Sequence, residues 1–212
     1  MSKMKKTSAK TIGRLSLYRL LLDNLRRDGA DAVYSHELAA AANCSAAQVR
    51  RDLMSLDYAG SPVHGYRIAE LVNSIDSFLD HPQGQAVALV GVGNLGRAIL
   101  SYFRGRRPKL SIVAAFDEDE HKTNRVINGT WCHAMNELRQ VVKEKNVLVG
   151  IITVPAGAAQ VVADRLVEAG VRGLLNFAPM RLKVPPHVYL EDLDMTMSLE
   201  KVAYFSRPRA EE

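Results

Sequence analysis

The sequence predicts an α/β domain built on a mostly parallel sheet, preceded by a smaller all-α domain. Three observations lead there. From about residue 85 onward, apolar stretches of strand length alternate with helical stretches. A Pro/Gly segment, Asp80-His81-Pro82-Gln83-Gly84, separates them from a leucine-rich first third. The whole net charge of +5 lies in that first third, because residues 1–67 carry 11 basic and 6 acidic side chains and the remainder 17 of each. Such asymmetry fits a nucleic-acid-facing domain joined to a neutral one. Charge alone is equally compatible with a solvated basic surface.

In the first domain, Ile12, Leu15, Leu17, Leu20, Leu21, Leu22 and Leu25 recur at helical spacing between Thr11 and about Arg27, and Asp28-Gly29 ends that helix. Ser35 is placed to cap a second helix over His36 to Ala42, and Asn43 suits a left-handed turn. Ser45-Ala46-Ala47-Gln48 has the pattern of a capping box, which opens a third helix running to about Asp57. Two short helices across a tight turn form a helix-turn-helix. Val49, Leu53 and Leu56 make the inner stripe of the third helix. Ala47, Gln48, Arg51 and Ser55 lie opposite, with Arg50 at the edge. Small residues let backbone approach a major groove, Gln reads adenine, and Arg reads guanine or grips phosphate. A plain solvated helix face would carry similar residues. Gly60 to Arg67 predicts a turn and short hairpin, a candidate wing on which His64 and Arg67 would touch phosphate. Ile68, Leu71, Val72, Ile75, Phe78 and Leu79 then mark a connecting helix.

The second domain is organised around Gly91-Val92-Gly93-Asn94-Leu95-Gly96, which follows the apolar run Ala86 to Val90 and precedes a helical stretch. Strand, glycine turn and helix together are the dinucleotide-binding arrangement of a Rossmann domain. One glycine makes the tight turn, the second admits a pyrophosphate, and the third lets helix and strand pack closely. The helix N-terminus then faces the phosphates. Asp117 ends the next strand, 24 positions after Gly93, close to the ~20 expected for a carboxylate on an adenosine ribose. A carboxylate there favours NAD(H) over NADP(H). The alternative is a glycine turn in an α/β sheet without a ligand. Asn128-Gly129 marks a turn, Ala134–Lys145 a helix, Val147–Thr153 a strand, Ala156–Ala169 a helix, and Gly173–Phe177 a strand. Thr153, Val154, Pro155, Asn176, Phe177, Ala178 and Pro179 fall at strand carboxyl ends, where such sheets bind ligands, and are candidates for the nicotinamide side. A last helix, Met195 to about Phe205, carries Met195, Leu199, Val202 and Phe205 on one stripe, which a partner subunit would cover.

No apolar run approaches the ~20 residues that span a bilayer. Met1 to Lys10 is basic and polar, expected as a short disordered arm and not a signal peptide. Cys44 and Cys132 form neither metal spacing nor a disulfide framework, which fits a reducing cytoplasm. Two rival functions remain. A small NAD-dependent oxidoreductase would need a substrate domain and an acid/base pair that the sequence does not display. A coenzyme A-binding sensor could use the same glycine turn, although Asp117 suits an unmodified ribose better than a 3′-phosphate.

From about Lys10 to Phe205 the chain is similar to the Rex family of redox-sensing transcriptional repressors. The likeness rests on Arg14-Leu15-Ser16-Leu17-Tyr18; Ser45 to Leu53; Gly65-Tyr66; Gly91 to Ala98 with Tyr102; Phe116-Asp117; Ile152 to Pro155; Leu175 to Pro179; and Leu199-Glu200 ahead of Tyr204-Phe205. The resemblance implies a homodimeric repressor, not an enzyme. Its expected organisation is a winged-helix DNA-binding domain over 1–82, a Rossmann NAD(H)-binding domain over 83–192, and a dimerisation helix and tail over 193–212, with that helix swapped between subunits. NADH and NAD⁺ would be effectors, NADH releasing an inverted-repeat operator. The implied DNA-facing set is Ser45, Ala47, Gln48, Arg50, Arg51, Ser55, Tyr66 and Arg67. Tyr102 would touch cofactor and move when it binds, and Arg14 and Asp194 match a pair that meets across the dimer in one state. The chain departs from the family pattern over Met54 to Pro62, where an aromatic and glycine-rich run is usual, and at Met195.

Overall fold

The computed structural model describes residues 7–56, 58, 60, 61 and 63–207. The expected basic arm lies outside these as far as position 6, and Lys10 already belongs to the first helix. The chain divides into two compact units, Met1–Pro82 and Gln83–Glu212.

In the first unit, α1 (Ala9–Arg27) opens at Ser8, whose Oγ accepts from the Thr11 N–H, and it buries Leu15, Tyr18 and Leu22. β1 (Ala32–Val33) and α2 (Ser35–Ala41) follow. Ser35 is the first residue of α2 and not its cap. The cap is Tyr34, whose N–H donates to Glu37 Oε2 at 2.7 Å. Asn43 takes the left-handed turn at φ 51°. α3 (Ala46–Leu53) is capped by Ser45, whose Oγ accepts from the Gln48 N–H at 3.1 Å. Only this half of the capping box forms, because the Gln48 amide turns to Asp52 instead. α3 also ends four residues sooner than its periodicity predicts. Ser55 Oγ donates to the Asp52 carbonyl and the chain tightens into a 3-10 turn, Met54–Leu56.

The unit is not purely helical. β2 (Tyr66–Arg67) pairs antiparallel with β1, and a bridge joins Ser61 to Gly65. The hairpin expected over 60–67 therefore closes onto the segment before α2. Gly65 has φ +70°, and a Cβ there would stand 2.7 Å from the Val33 carbonyl oxygen, so this contact needs glycine. α4 (Ile68–Leu79) completes a core of Leu15, Tyr18, Leu22, Leu38, Val49, Leu53, Leu71 and Ile75.

The second unit begins with β3 (Gln85–Val90), α5 (Asn94–Phe103) and β4 (Leu110–Asp117). It continues with the hairpin of β5 (Arg125–Ile127) and β6 (Thr130–Ala134), then α6 (Leu138–Glu144), β7 (Val147–Ile152) and α7 (Ala156–Glu168). β8 (Gly173–Asn176), β9 (Tyr189–Asp192) and α8 (Met195–Phe205) end it. The sheet order is β5-β6-β4-β3-β7-β8-β9, and every neighbouring pair is parallel except β5 with β6. Successive residues of β3 enter different cores. Val87 and Leu89 join the α5 side, while Ala88 and Val90 join the side of α6 and α7. Both faces are thus covered, as a parallel sheet requires.

The helix expected from Ala134 begins only at Leu138, because Thr130–Ala134 is the returning arm of a hairpin. Asn128 and Gly129 both have positive φ, 48° and 83°, which lets two residues turn that hairpin. β3 sits where successive crossovers leave in opposite directions, with β4 on one side and β7 on the other. Such a switch point opens a crevice beyond the strand carboxyl ends. No helix of the described residues is long and apolar enough to cross a membrane.

Candidate functional site

The glycine turn leaves β3 at Val90. Gly91 has φ +98°, and a Cβ on it would meet the Thr153 carbonyl at 2.9 Å. A Cβ on Gly96 would stand 2.0 Å from the Gly91 oxygen, so the third glycine is needed by the fold itself. Gly93 differs, since nothing lies within 4 Å of the Cβ position there. Its openness faces a cavity, and α5 begins immediately after it with no capping side chain. The first N–H groups of α5 are left to a ligand, and the helix dipole favours an anion.

The turn is fixed from two sides. Thr153 Oγ1 donates to the Gly91 carbonyl at 2.7 Å, tying it to the end of β7. The Val92 N–H donates to Asp117 Oδ2 at 2.7 Å, tying it to the end of β4. Asp117 also accepts from the Asp119 N–H at 2.9 Å, and Lys122 Nζ stands 3.5 Å from both its oxygens.

The cavity has a volume of about 500 Å³, within the range of small-molecule sites. Gly91, Gly93, Asn94 and Leu95 line it along the turn, with Asp117, Glu118 and Lys122 at one end. Thr153, Val154, Pro155, Phe177 and Pro179 also line it, together with Met135, Ala158 and Val162. Glu118 and Lys122 are additions to the expected set. The run Glu118 to Glu120 has the composition of a solvated loop, and no periodicity around it marks Glu118 or Lys122 as facing the cavity.

Five expected cofactor residues do not line the cavity. Val92 is fully buried, and Gly96 lies under the turn. Asn176 is 1% exposed, and its amide is spent inside the protein. Its Nδ2 donates to the Met180 carbonyl at 2.9 Å and to Asp192 Oδ1 at 2.8 Å, and its Oδ1 accepts from the Ala178 N–H at 3.0 Å. It holds the turn that carries Phe177 and Pro179, and Ala178 is buried within that turn. Tyr102 also lies away from the cavity. It is exposed at the far end of α5, a helix of 10 residues and so about 15 Å long, and Arg106 stacks 4.3 Å over its ring. The Cys132 thiol is buried, and burial, with Asp117 adding to it, pushes its pKa up to about 11, leaving it protonated and inert near neutrality. Among the described residues, no group of His, Cys, Asp and Glu is placed to hold a metal ion.

A second surface is the outer face of α3. Ser45, Ala47, Arg50 and Arg51 are exposed, while Gln48 and Ser55 are half-buried. Arg50 Nη1 donates to Ser35 Oγ at 3.0 Å, which braces α3 against α2. Tyr66 stands against Tyr58 with ring centroids 6.2 Å apart, and exposed Arg67 pairs with Glu70 at 3.3 Å.

Beneath this face lies Asp52, 3% exposed. It accepts from Arg14 Nε at 2.6 Å and Nη2 at 2.7 Å, from Tyr18 OH at 3.1 Å, and from Gln48 Nε2 at 3.0 Å. Burial alone would raise its carboxyl pKa, but Arg14, Tyr18 and Gln48 together hold it below the usual carboxylate range. Sequence reasoning missed this acid. Its position three residues after Val49 and four before Leu56 places it on the buried stripe, and that was the available signal.

Arg14 is thus engaged by Asp52, while Asp194 caps α8, its Oδ1 accepting from the Met197 N–H at 3.0 Å. On α8, Met195, Leu199, Val202 and Phe205 are 60%, 69%, 65% and 81% exposed.

Two family models match the chain. One, described as a CoA binding domain, covers residues 83–180; the other, a putative DNA-binding protein N-terminus, covers residues 6–53. A redox-sensing transcriptional repressor Rex of Syntrophobacter fumaroxidans is 40% identical over 95% of this chain and 97% of its own. That of Geobacillus kaustophilus is 39% identical over 92% and 91%. Among solved structures, RSP, a Rex-family repressor, matches with a TM-score of 0.86 at 29% identity over 95% of both chains. RSP in complex with β-NAD⁺ and operator DNA matches at the same identity with a TM-score of 0.86, covering 95% of this chain and 93% of that one. RSP with β-NADH matches at 0.84, covering 95% and 94%.

Proposed function

Since the chain belongs to the Rex family of redox-sensing transcriptional repressors, we propose that it holds an inverted-repeat operator through its first unit and lets go when NADH fills the cavity at the glycine turn. The observation that carries this is the pairing of an open Gly93 and uncapped α5 with the Asp117 carboxylate in one cavity. The α5 N–H groups and Gly93 take the pyrophosphate, Asp117 takes the adenosine ribose, and Val154, Pro155 and Phe177 form the nicotinamide side. Val92, Gly96, Asn176 and Ala178 position these groups. The dinucleotide is an effector and is not consumed, so the chain is a repressor and not an enzyme.

On α3, Ala47, Gln48 and Arg51 face base edges. Ser45, Arg50, Ser55, Tyr66 and Arg67 serve the phosphate backbone. An inverted repeat calls for two-fold symmetry, and the exposed stripe of α8 is the surface on which a second copy would pack. Arg14, Tyr102 and Asp194 belong to the contacts that differ between the two dimer arrangements. A repressor of this kind would act on its operator in the cytoplasm, and that is the location proposed for this chain.

NADH acts through its differential affinity for the DNA-competent and released arrangements. A 100-fold change in operator affinity corresponds to about 2.7 kcal/mol of coupling. The test is a gel-shift titration on a selected inverted repeat. NADH should release the duplex at concentrations where NAD⁺ leaves it bound, and equal effects of the two refute redox sensing.

The match to a CoA binding domain favours coenzyme A as a second reading of the same cavity. Asp117 opposes it, because a carboxylate at the ribose repels a neighbouring phosphate. Calorimetry with NADH and coenzyme A separates the two.

A further inference from the structure

We propose that Asp52 is a specificity-determining positioning residue, which holds the Gln48 amide in one orientation so that α3 accepts adenine and rejects guanine where Gln48 meets the operator. This rests on the reading of α3 as the DNA-contacting helix. An ionised carboxylate only accepts hydrogen bonds. Asp52 is kept ionised by the two-pronged contact with Arg14, at 2.6 and 2.7 Å, and is fixed further by Tyr18 at 3.1 Å. The Gln48 atom 3.0 Å from Asp52 Oδ1 must therefore be the amide nitrogen. The amide oxygen is turned the other way, toward Arg51 Nη1 at 3.5 Å.

A glutamine without such a tether turns its amide freely and offers either end to a base. With the NH₂ end forward it donates to the two guanine acceptors, O6 and N7; with oxygen and one N–H forward it matches the adenine N6 donor and N7 acceptor. Asp52 removes the first choice, because turning the NH₂ group outward would set the amide oxygen against a buried carboxylate. Residues four apart on a helix are neighbours on one face, so Asp52 reaches Gln48 from below without touching DNA itself. Arg14 and Tyr18 both lie on α1, so the orientation of a base-reading side chain on α3 is set from the neighbouring helix.

The experiment selects duplexes from a symmetric inverted-repeat library with the full chain as wild type, Gln48→Ala, Asp52→Asn and the double variant. Wild type should prefer adenine over guanine by about tenfold at one position of each half-site, about 1.4 kcal/mol. Gln48→Ala and Asp52→Asn should each flatten that position, and the double variant should be no flatter than either. Asp52→Asn binding every duplex more weakly with the preference intact would overturn the proposal, since a merely structural acid behaves that way.

If Asp52→Asn does not fold, nitrogen-edited NMR of the wild-type side-chain amides decides. One Gln48 Nε2 proton shifted downfield and protected from exchange supports the tether; two freely exchanging protons overturn it. A wild-type chain that selects no duplex would instead overturn the repressor reading, while the NMR arm still reports on the tether.

Discussion

The two binding surfaces are made of different material. At the glycine turn the chemistry is mostly backbone: open N–H groups at the start of α5, a missing side chain at Gly93, and one carboxylate held by the Val92 and Asp119 N–H groups beside Lys122. On α3 the chemistry is side chains, and these are held from beneath by the ionic cluster of Arg14, Tyr18, Asp52 and Gln48. A backbone site is sensitive to atoms that are added. A side-chain site is sensitive to atoms that are taken away. The turn should therefore fail on gaining a methyl group or two, and α3 on losing a charge.

The largest effect belongs to the buried acid. Asp52→Ala leaves Arg14 without its carboxylate and should cost roughly 3–5 kcal/mol of first-unit stability, read by hydrogen exchange in α1 and α3. The same acid predicts a pH dependence. Its folded pKa is depressed, so its contribution is complete above the ordinary carboxylate range and is lost as pH falls through the depressed value. First-unit stability of wild type should fall on acidification over that window, and the variant should lack this component.

Next in size is Gly93→Val. It has room in the protein but none beside a pyrophosphate, so NADH affinity should drop about 100-fold, about 2.7 kcal/mol, while urea unfolding stays close to wild type. The variant would stay on the operator when NADH is added, and a marked loss of stability would break the contrast with Gly96, where the clash is internal.

Arg51→Ala comes third. It should cost operator affinity about 1–3 kcal/mol and leave calorimetric NADH binding as it was. The smallest change is Asp117→Ala. NADH affinity should fall by about tenfold, near 1.4 kcal/mol, with discrimination against NADPH relaxed in the same titration.

The contrast also explains what the sequence displays and what it hides. A glycine turn shows itself because its residue types are dictated by backbone geometry, and Gly91 and Gly96 are indeed places where any Cβ collides. Long helices such as α1, α4 and α8 repeat apolar residues often enough to be recognised, although Ile12, Leu17 and Leu20 of α1 are exposed. β1 has two residues and no period to detect, whereas β2, equally short, shows itself through the turn residues that precede it. β6 was hidden because its five residues run directly into the turn that starts α6.

Within the sites, position along a strand end did not reveal which way a side chain turns. Asn176 sits at such an end yet spends its amide on Met180, Ala178 and Asp192. Asp52 was hidden for the converse reason, a charged residue whose chemistry lies on the buried face of an otherwise polar helix.

Coupling between the two surfaces is the central claim, and it must be reciprocal. NADH affinity should therefore be measured by calorimetry on the free protein and on the protein saturated with its operator. NADH should bind more weakly to the operator complex, by the same factor by which it weakens operator binding, and NAD⁺ should show a far smaller difference. Identical NADH affinities with and without operator would contradict the account and leave two independent binding units on one chain.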